Sequence, residues 1–366
     1  MPESTFGTLV DATPIGTHTV GASAWRIRYR SADVVGTEHV VSGLVVAPRV
    51  RGDDRPVVTW CHGTTGLGDA ACPSAQPDPA RELTVYYSEQ STAQIDYGIP
   101  GLAGWIGAGF VVCATDYQGL GTAGVHQYPV NRSNARDAIA IVHAARQMDV
   151  GAGTGVAVVG WSQGGGAAAA AAELDDGDFG PLELVACVPI SPGVADAAVD
   201  LPGADLASLS DPSEPPSPHL LMTVYGHAAA FGGLDLDDIL TPRGRRLMDA
   251  VWNTQPVHHL GDTAARIFHL EGPLMHANPL EVPEWLEAIT TGSAGRRRSR
   301  CPALVCVDEF GRGTVVPVAW QEAYATAVGR LGGSVELRRY PDADHFSVST
   351  EAIDDIRAWV VTRLGT

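Results

Sequence analysis

Gly155-Val-Ala-Val-Val-Gly160-Trp161-Ser162-Gln163-Gly164-Gly165-Gly166 is the stretch on which the reading turns. Its first half is a short apolar, β-branched run, the pattern of a buried strand. Its second half leads into the alanines Ala167–Ala172, which suit a tightly packed helix. Gly-x-Ser-x-Gly at the junction puts Ser162 on a sharp strand-to-helix turn that holds its hydroxyl exposed in a strained backbone conformation. The helix starting beneath it brings free N–H groups and positive dipole to the place where an oxyanion would develop. The bare motif arises by chance in a chain with 42 glycines, so the strand before and the helix after carry the inference that Ser162 is a nucleophile.

Working outward, the same alternation recurs. Strands are expected at Pro56–Trp60, Phe110–Ala114, Gly155–Val159, Leu184–Ile190, Ala303–Val307 and Val335–Tyr340. Helices are expected at about Arg132–Met148, Gln163–Leu174, Pro317–Leu331 and Thr350–Leu364. Strands alternating with helices predict a mostly parallel sheet covered on both faces. Trp25 to Pro48 alternates in polarity and reads as an antiparallel start to that sheet. Between about Asp196 and Gly295 the rhythm changes: prolines cluster at Pro212, Pro215, Pro216 and Pro218, and the pieces look helical. Tyr225, Phe231, Trp252 and Trp285 supply apolar material that a disordered linker would not need. The expectation is an α/β-hydrolase fold with core residues 1–195 and 296–366 and an inserted helical cap at 196–295.

Such a fold needs an oxyanion hole, a base and an acid. Trp60-Cys-His62-Gly63-Thr64-Thr65-Gly66 follows the strand Pro56–Trp60, so the backbone N–H groups of Thr64 and Gln163 are the expected oxyanion donors. His62 itself reads as a loop brace. The base should come last in chain order, and Tyr340-Pro-Asp342-Ala-Asp344-His345-Phe346 lies between the last strand and the last helix. His345 is therefore the expected base. The adjacent pair His258 and His259 does not aim two ligands at one metal, and no metal site is expected. The acid should follow the strand Ala303–Val307, where Asp308 and Glu309 stand; Asp308 is preferred, Glu309 and Asp196 are alternatives, and a site without an acid stays open. Asp116 reads as a brace.

Several segments together resemble the secretory lipase family, the lipase-A-like α/β hydrolases of actinomycetes and fungi. They are His62-Gly-Thr-Thr-Gly66 with Cys72-Pro-Ser, Thr115-Asp-Tyr-Gln-Gly-Leu-Gly-Thr122, Gly160-Trp-Ser-Gln-Gly-Gly165, Leu240-Thr-Pro-Arg-Gly-Arg245 and Tyr340-Pro-Asp-Ala-Asp-His345. The resemblance spans nearly the whole chain and implies lipase or carboxylesterase activity on acylglycerols or related esters. It also implies an acid within a pattern like Gly-x-x-Asp-x-Val-Val-Pro. Here Thr314-Val-Val-Pro317 is kept, but Gly313 stands where that aspartate belongs, in a loop about two residues longer.

Composition narrows the alternatives. The 366 residues are 45% hydrophobic and 18% charged, which is globular, with a net charge of −18. Such a surface repels phosphate backbones and anionic headgroups, so nucleic acid and bulk membrane binding are disfavoured. No run approaches the ~18 apolar residues of a membrane helix. Met1–Val20 lacks a basic start and an apolar stretch, so a reduced, cytoplasmic protein is expected, with a secreted mature form as the alternative. The function expected is a cofactor-free serine esterase or lipase acting on a small-molecule ester through an acyl-enzyme on Ser162. A biosynthetic acyltransferase or cyclase using the same serine, and a non-catalytic binding protein, are the competing readings.

Overall fold

In a computed structural model, residues 5–88, 91, 93–194, 214–310 and 315–364 are described. Nine strands form one sheet: β1 Leu9–Ile15, β2 Ala22–Ala32, β3 Glu38–Pro48, β4 Arg55–Cys61, β5 Val111–Thr115, β6 Ala152–Trp161, β7 Glu183–Ile190, β8 Ala303–Asp308 and β9 Val335–Tyr340. Their spatial order is β1-β2-β3-β5-β4-β6-β7-β8-β9. The first three strands are antiparallel to their neighbours, and every pair from β5 to β9 is parallel. The six expected strands and the antiparallel start are all present; β1 was not foreseen. Its sequence, Leu-Val-Asp-Ala-Thr-Pro-Ile, lies on the sheet edge, where one side needs no partner and Pro14 is tolerated.

The two faces of the sheet are buried separately. One packs the helices Asn131–Ala145, Gln163–Ala171 and Val318–Arg330, and the other packs Leu102–Gly107 and Ile353–Leu364. Each fully buried Val, Leu or Ile contributes about 1.5–3 kcal/mol, and β5 is buried at all five positions. All nine residues of Gln163–Ala171 are buried too. Its small residues are required there: a Cβ on Gly165 would come within 2.7 Å of the Ile190 carbonyl oxygen.

β7 and β8 are neighbours in the sheet but lie more than a hundred positions apart in the chain. The described part of the intervening segment is helical, with helices Pro218–Ala230, Pro242–Val251, Val257–Glu271 and Pro283–Gly292. Its apolar side chains form a cluster of their own around Met222, Leu240, Met248, Leu260 and Trp285. Leu67 and Tyr128, which follow β4 and β5 in the chain, join that cluster and tie it to the sheet. Among the described residues, no helix is long and apolar enough to cross a membrane.

Candidate active site

Ser162 ends β6 and opens the helix Gln163–Ala171 with φ 57° and ψ −117°. That region is costly for a residue with a side chain. The flanking glycines make it feasible: a Cβ on Gly160 would stand 2.0 Å from the Gly164 carbonyl oxygen, and one on Gly164 1.9 Å from the Cys61 carbonyl oxygen. The Ser162 N–H donates to the Ile190 carbonyl at 2.9 Å, and its own carbonyl accepts from Gly193 N–H at 2.8 Å. The elbow is thus clamped from β7. The N–H groups of Thr64 and Gln163 donate to no protein acceptor among the described residues.

His345 Nε2 lies 3.0 Å from Ser162 Oγ. The loop carrying it is held by Trp161, whose indole N–H donates to the His345 carbonyl at 2.7 Å. Asp344 holds it too, its carboxylate accepting from the Phe346 and Ser347 N–H groups. Burial, aided by nearby His219 and opposed by Asp344, pushes His345 down to about 3. The imidazole is therefore neutral at pH 7. With Nε2 accepting from the serine hydroxyl, the proton sits on Nδ1.

The partner of Nδ1 is a residue that the sequence reading missed. Ser191 Oγ is 2.9 Å from it, whereas Asp308 Oδ2 is 4.0 Å away. Ser191 follows β7 with φ 42°, tied by its N–H to the Cys306 carbonyl at 2.8 Å. Asp308, fully buried at the end of β8, accepts from Gln321 Nε2 at 2.8 Å through Oδ1. Among the described residues, no hydrogen bond closes on its Oδ2. Burial raises the Asp308 carboxyl, and the nearby Ser191 hydroxyl and Gln321 amide oppose that rise. Position alone could have pointed to Ser191, since ligands of parallel sheets gather at the carboxyl ends of strands.

The alternatives separate. Glu309 pairs with Arg339 and turns to the surface. Asp196 and Gly313 lie outside the described residues. His62 braces its loop as expected, with Nδ1 2.6 Å from the Gly63 carbonyl and its ring against Tyr117. Asp116 accepts from Ser42 Oγ at 2.7 Å and Ser74 N–H at 2.8 Å, also a brace.

Two residues support the donor loop. His126, held down to about 4 mainly by burial, has Nδ1 2.9 Å from the Gln118 carbonyl and so accepts from the Gln163 amide at Nε2. The Thr64 hydroxyl donates to Tyr128 at 3.3 Å, and Tyr128 donates to His219 Nδ1 at 2.9 Å. His219 too is lowered to about 4, by burial and then by His258.

Two cavities meet at Ser162. One of 210 Å³ is largely apolar, lined by Val194, Leu220, Leu280, Ile289, Val316 and Trp320, and also by Gln163. The other, of 230 Å³, is lined by Thr64, His345 and Phe346 together with Asp96, His258 and Asp262.

Residues 85–193, from before the strand β5 to just past β7, match the family model of the secretory lipases. The chain has the α/β-hydrolase fold, and its residues 85–193 are similar to the secretory lipases. The fold agrees with that of Candida antarctica lipase A in its closed state, at 14% identity and TM-score 0.73, covering 98% of this chain and 83% of that one. It agrees equally with the rice cell wall degrading esterase LipA of Xanthomonas oryzae, at 18% identity and TM-score 0.69, covering 98% and 97%. A putative hydrolase of Legionella pneumophila is similar at 14% identity and TM-score 0.72, with 97% of each chain covered. No curated protein matches the sequence.

Proposed function

We propose that this hydrolase is a serine esterase that works through an acyl-enzyme on Ser162. The observation that carries the reading is the 3.0 Å contact between His345 Nε2 and the hydroxyl of a serine held on a strained elbow. His345 takes the Ser162 proton as Oγ attacks the ester carbonyl carbon. The Thr64 and Gln163 N–H groups, free of other acceptors, hold the oxyanion of the tetrahedral intermediate. As that intermediate collapses, the bond from carbonyl carbon to leaving oxygen breaks, and the imidazolium returns its proton to the leaving alcohol. Water, activated by His345 in turn, releases the acid. In this scheme Asp308 supplies the counter-charge through Ser191: Nδ1–H donates to Ser191 Oγ, and the Ser191 hydroxyl turns to donate to Asp308 Oδ2.

The cavities support a placement of the two halves of the ester. The group that protonates the leaving alcohol must stand on the alcohol's side, and His345 lines only the 230 Å³ cavity. The apolar cavity therefore takes the acyl chain. We read residues 196–295, of which 196–213 lie outside the described residues, as a cap whose His219, Leu220 and His258 line these cavities. The cytoplasmic expectation finds no support in a family described as secretory, and export is the better reading.

Ser162→Ala should abolish hydrolysis of a short p-nitrophenyl ester and labelling by a fluorophosphonate, with an unchanged circular dichroism spectrum. Retention of more than a few per cent of activity would sink the assignment. Product analysis with alcohol acceptors distinguishes hydrolysis from acyl transfer.

A further inference from the structure

We propose that Asp96 and His258 form a hydroxyl-binding pair in the alcohol cavity, so that the enzyme takes esters whose alcohol still carries free hydroxyl groups. The inference rests on the esterase reading above and deepens it. Asp96 is 3% exposed. Its Oδ1 is spent on the Tyr86 N–H. Its Oδ2 is paired only loosely, 3.5 Å from His258 Nε2. That nitrogen is buried and has no hydrogen-bond partner among the described residues. Neither group can simply swing to close the gap, because each is held by something else. The peptide N–H of Tyr86 fixes the carboxylate, and the His258 ring is stacked on Tyr86 at 4.5 Å and 20°, with Tyr87 edge-on at 5.5 Å.

Buried polar atoms without partners are rare because each carries its full desolvation penalty. Here such a ring nitrogen stands 3.5 Å from a carboxylate oxygen on the wall of the cavity that also holds Ser162 and His345. A hydroxyl between them donates to Oδ2 and accepts from Nε2–H, satisfying both at once. Water can stand there, but only a group that repeats its bonds displaces it without loss. An alkyl group repeats neither. No arginine lines the cavity among the described residues, which disfavours a phosphate- or carboxylate-bearing alcohol. Phe346 and Tyr87 offer apolar surface for the alcohol's carbon face.

The test compares two esters of one acid, 1-monohexanoylglycerol and propyl hexanoate, which differ only in the two hydroxyls. The wild type should favour the glyceryl ester in kcat/KM by about 10- to 100-fold, the range for a hydrogen bond to a charged group in a cavity partly open to water. Asp96→Asn keeps an acceptor for Tyr86 but turns the free oxygen into a donor. His258→Phe keeps the stack and removes the nitrogens. Each should cut the glyceryl-to-propyl ratio about tenfold, and because the readout is a ratio within one preparation, partial misfolding cancels. A wild-type ratio near one, a ratio unchanged in both variants, or a stronger preference for hexanoylcholine, meaning a cation site, would overturn the proposal. Those outcomes leave p-nitrophenyl ester hydrolysis in place; absence of hydrolysis of every ester would overturn the esterase reading and this inference with it.

Discussion

Replacing Ser191 by alanine tests how the buried charge of Asp308 reaches His345. In the wild type Nδ1–H donates to Ser191 at 2.9 Å, while the nearer carboxylate oxygen stands at 4.0 Å. Two opposite charges 4 Å apart interact by about 4 kcal/mol at an effective dielectric constant near 20. That is an upper bound on what Asp308 gives the imidazolium formed in the transition state, and it corresponds to about 10³-fold in rate. Asp308→Asn should therefore lower kcat on a p-nitrophenyl ester by about 10²- to 10³-fold, somewhat less than the ~10⁴ lost when a directly bonded acid is neutralised. Ser191→Ala keeps the charge but removes the acceptor that fixes the ring's tautomer. A hydrogen bond to a group that becomes charged is worth about 1.5–3 kcal/mol, so a loss of about 10- to 100-fold is expected.

The two effects share one hydrogen-bonded chain, so the double variant should be little worse than Asp308→Asn alone. KM should barely move in either, since neither residue lines the cavities. Steady-state kinetics on purified variants with matching thermal melts suffices. Ser191→Ala within twofold of wild type, beside a large loss in Asp308→Asn, would mean that the carboxylate contacts His345 directly. Asp308→Asn within threefold would remove Asp308 from the mechanism, and Gly313→Asp would then be the variant to make, since it restores the acid that the family resemblance implies at that position.

Burial holds His345 neutral down to about pH 3, and the base works only when unprotonated. The acid limb of kcat/KM should thus lie below pH 5, whereas a histidine at its ordinary value would be only about 3% active there; a limb centred near 6.5 would contradict this. Gly164→Ala drives a Cβ to 1.9 Å from the Cys61 carbonyl oxygen and should cost about 3 kcal/mol or more, seen as a lower midpoint in urea; an unchanged midpoint would mean the elbow has slack. Leu280→Trp should fill the apolar cavity that Leu280 lines and lower the octanoate-to-acetate ratio of kcat/KM at least tenfold on p-nitrophenyl esters. A ratio that stays put would place the acyl chain elsewhere.

What could be read from the sequence, and what could not, divides along the range of the interactions. Ser162 and His345 are legible because local pattern places them: a β-branched run, a glycine turn and an alanine helix fix one, and the interval between last strand and last helix fixes the other. Asp308 is legible as a strand-end carboxylate, though its distance from the imidazole is not. Ser191 was missed because nothing in Pro189-Ile-Ser191-Pro marks a hydroxyl as special. Its place depends on β7 pairing with β8 across the inserted segment, so that its N–H meets the Cys306 carbonyl and its side chain falls between His345 and Asp308. The pair Asp96 and His258 was equally hidden, since they are far apart in the chain and meet through Tyr86, whose N–H bonds Asp96 and whose ring stacks on His258. The pattern is physical. Chemistry that needs a strained backbone leaves a trace in neighbouring residues, because only certain residue types tolerate the strain. Chemistry that needs two side chains to approach from distant segments leaves no such trace in the residues beside either, and strand-end position is the one hint of it. The proposed acid relay and alcohol site are both of the second kind: each joins side chains from before and after the segment between β7 and β8 or within it. Family resemblance therefore carries the nucleophile and base across, while the features that set this enzyme's rate and substrate must be read from its own contacts.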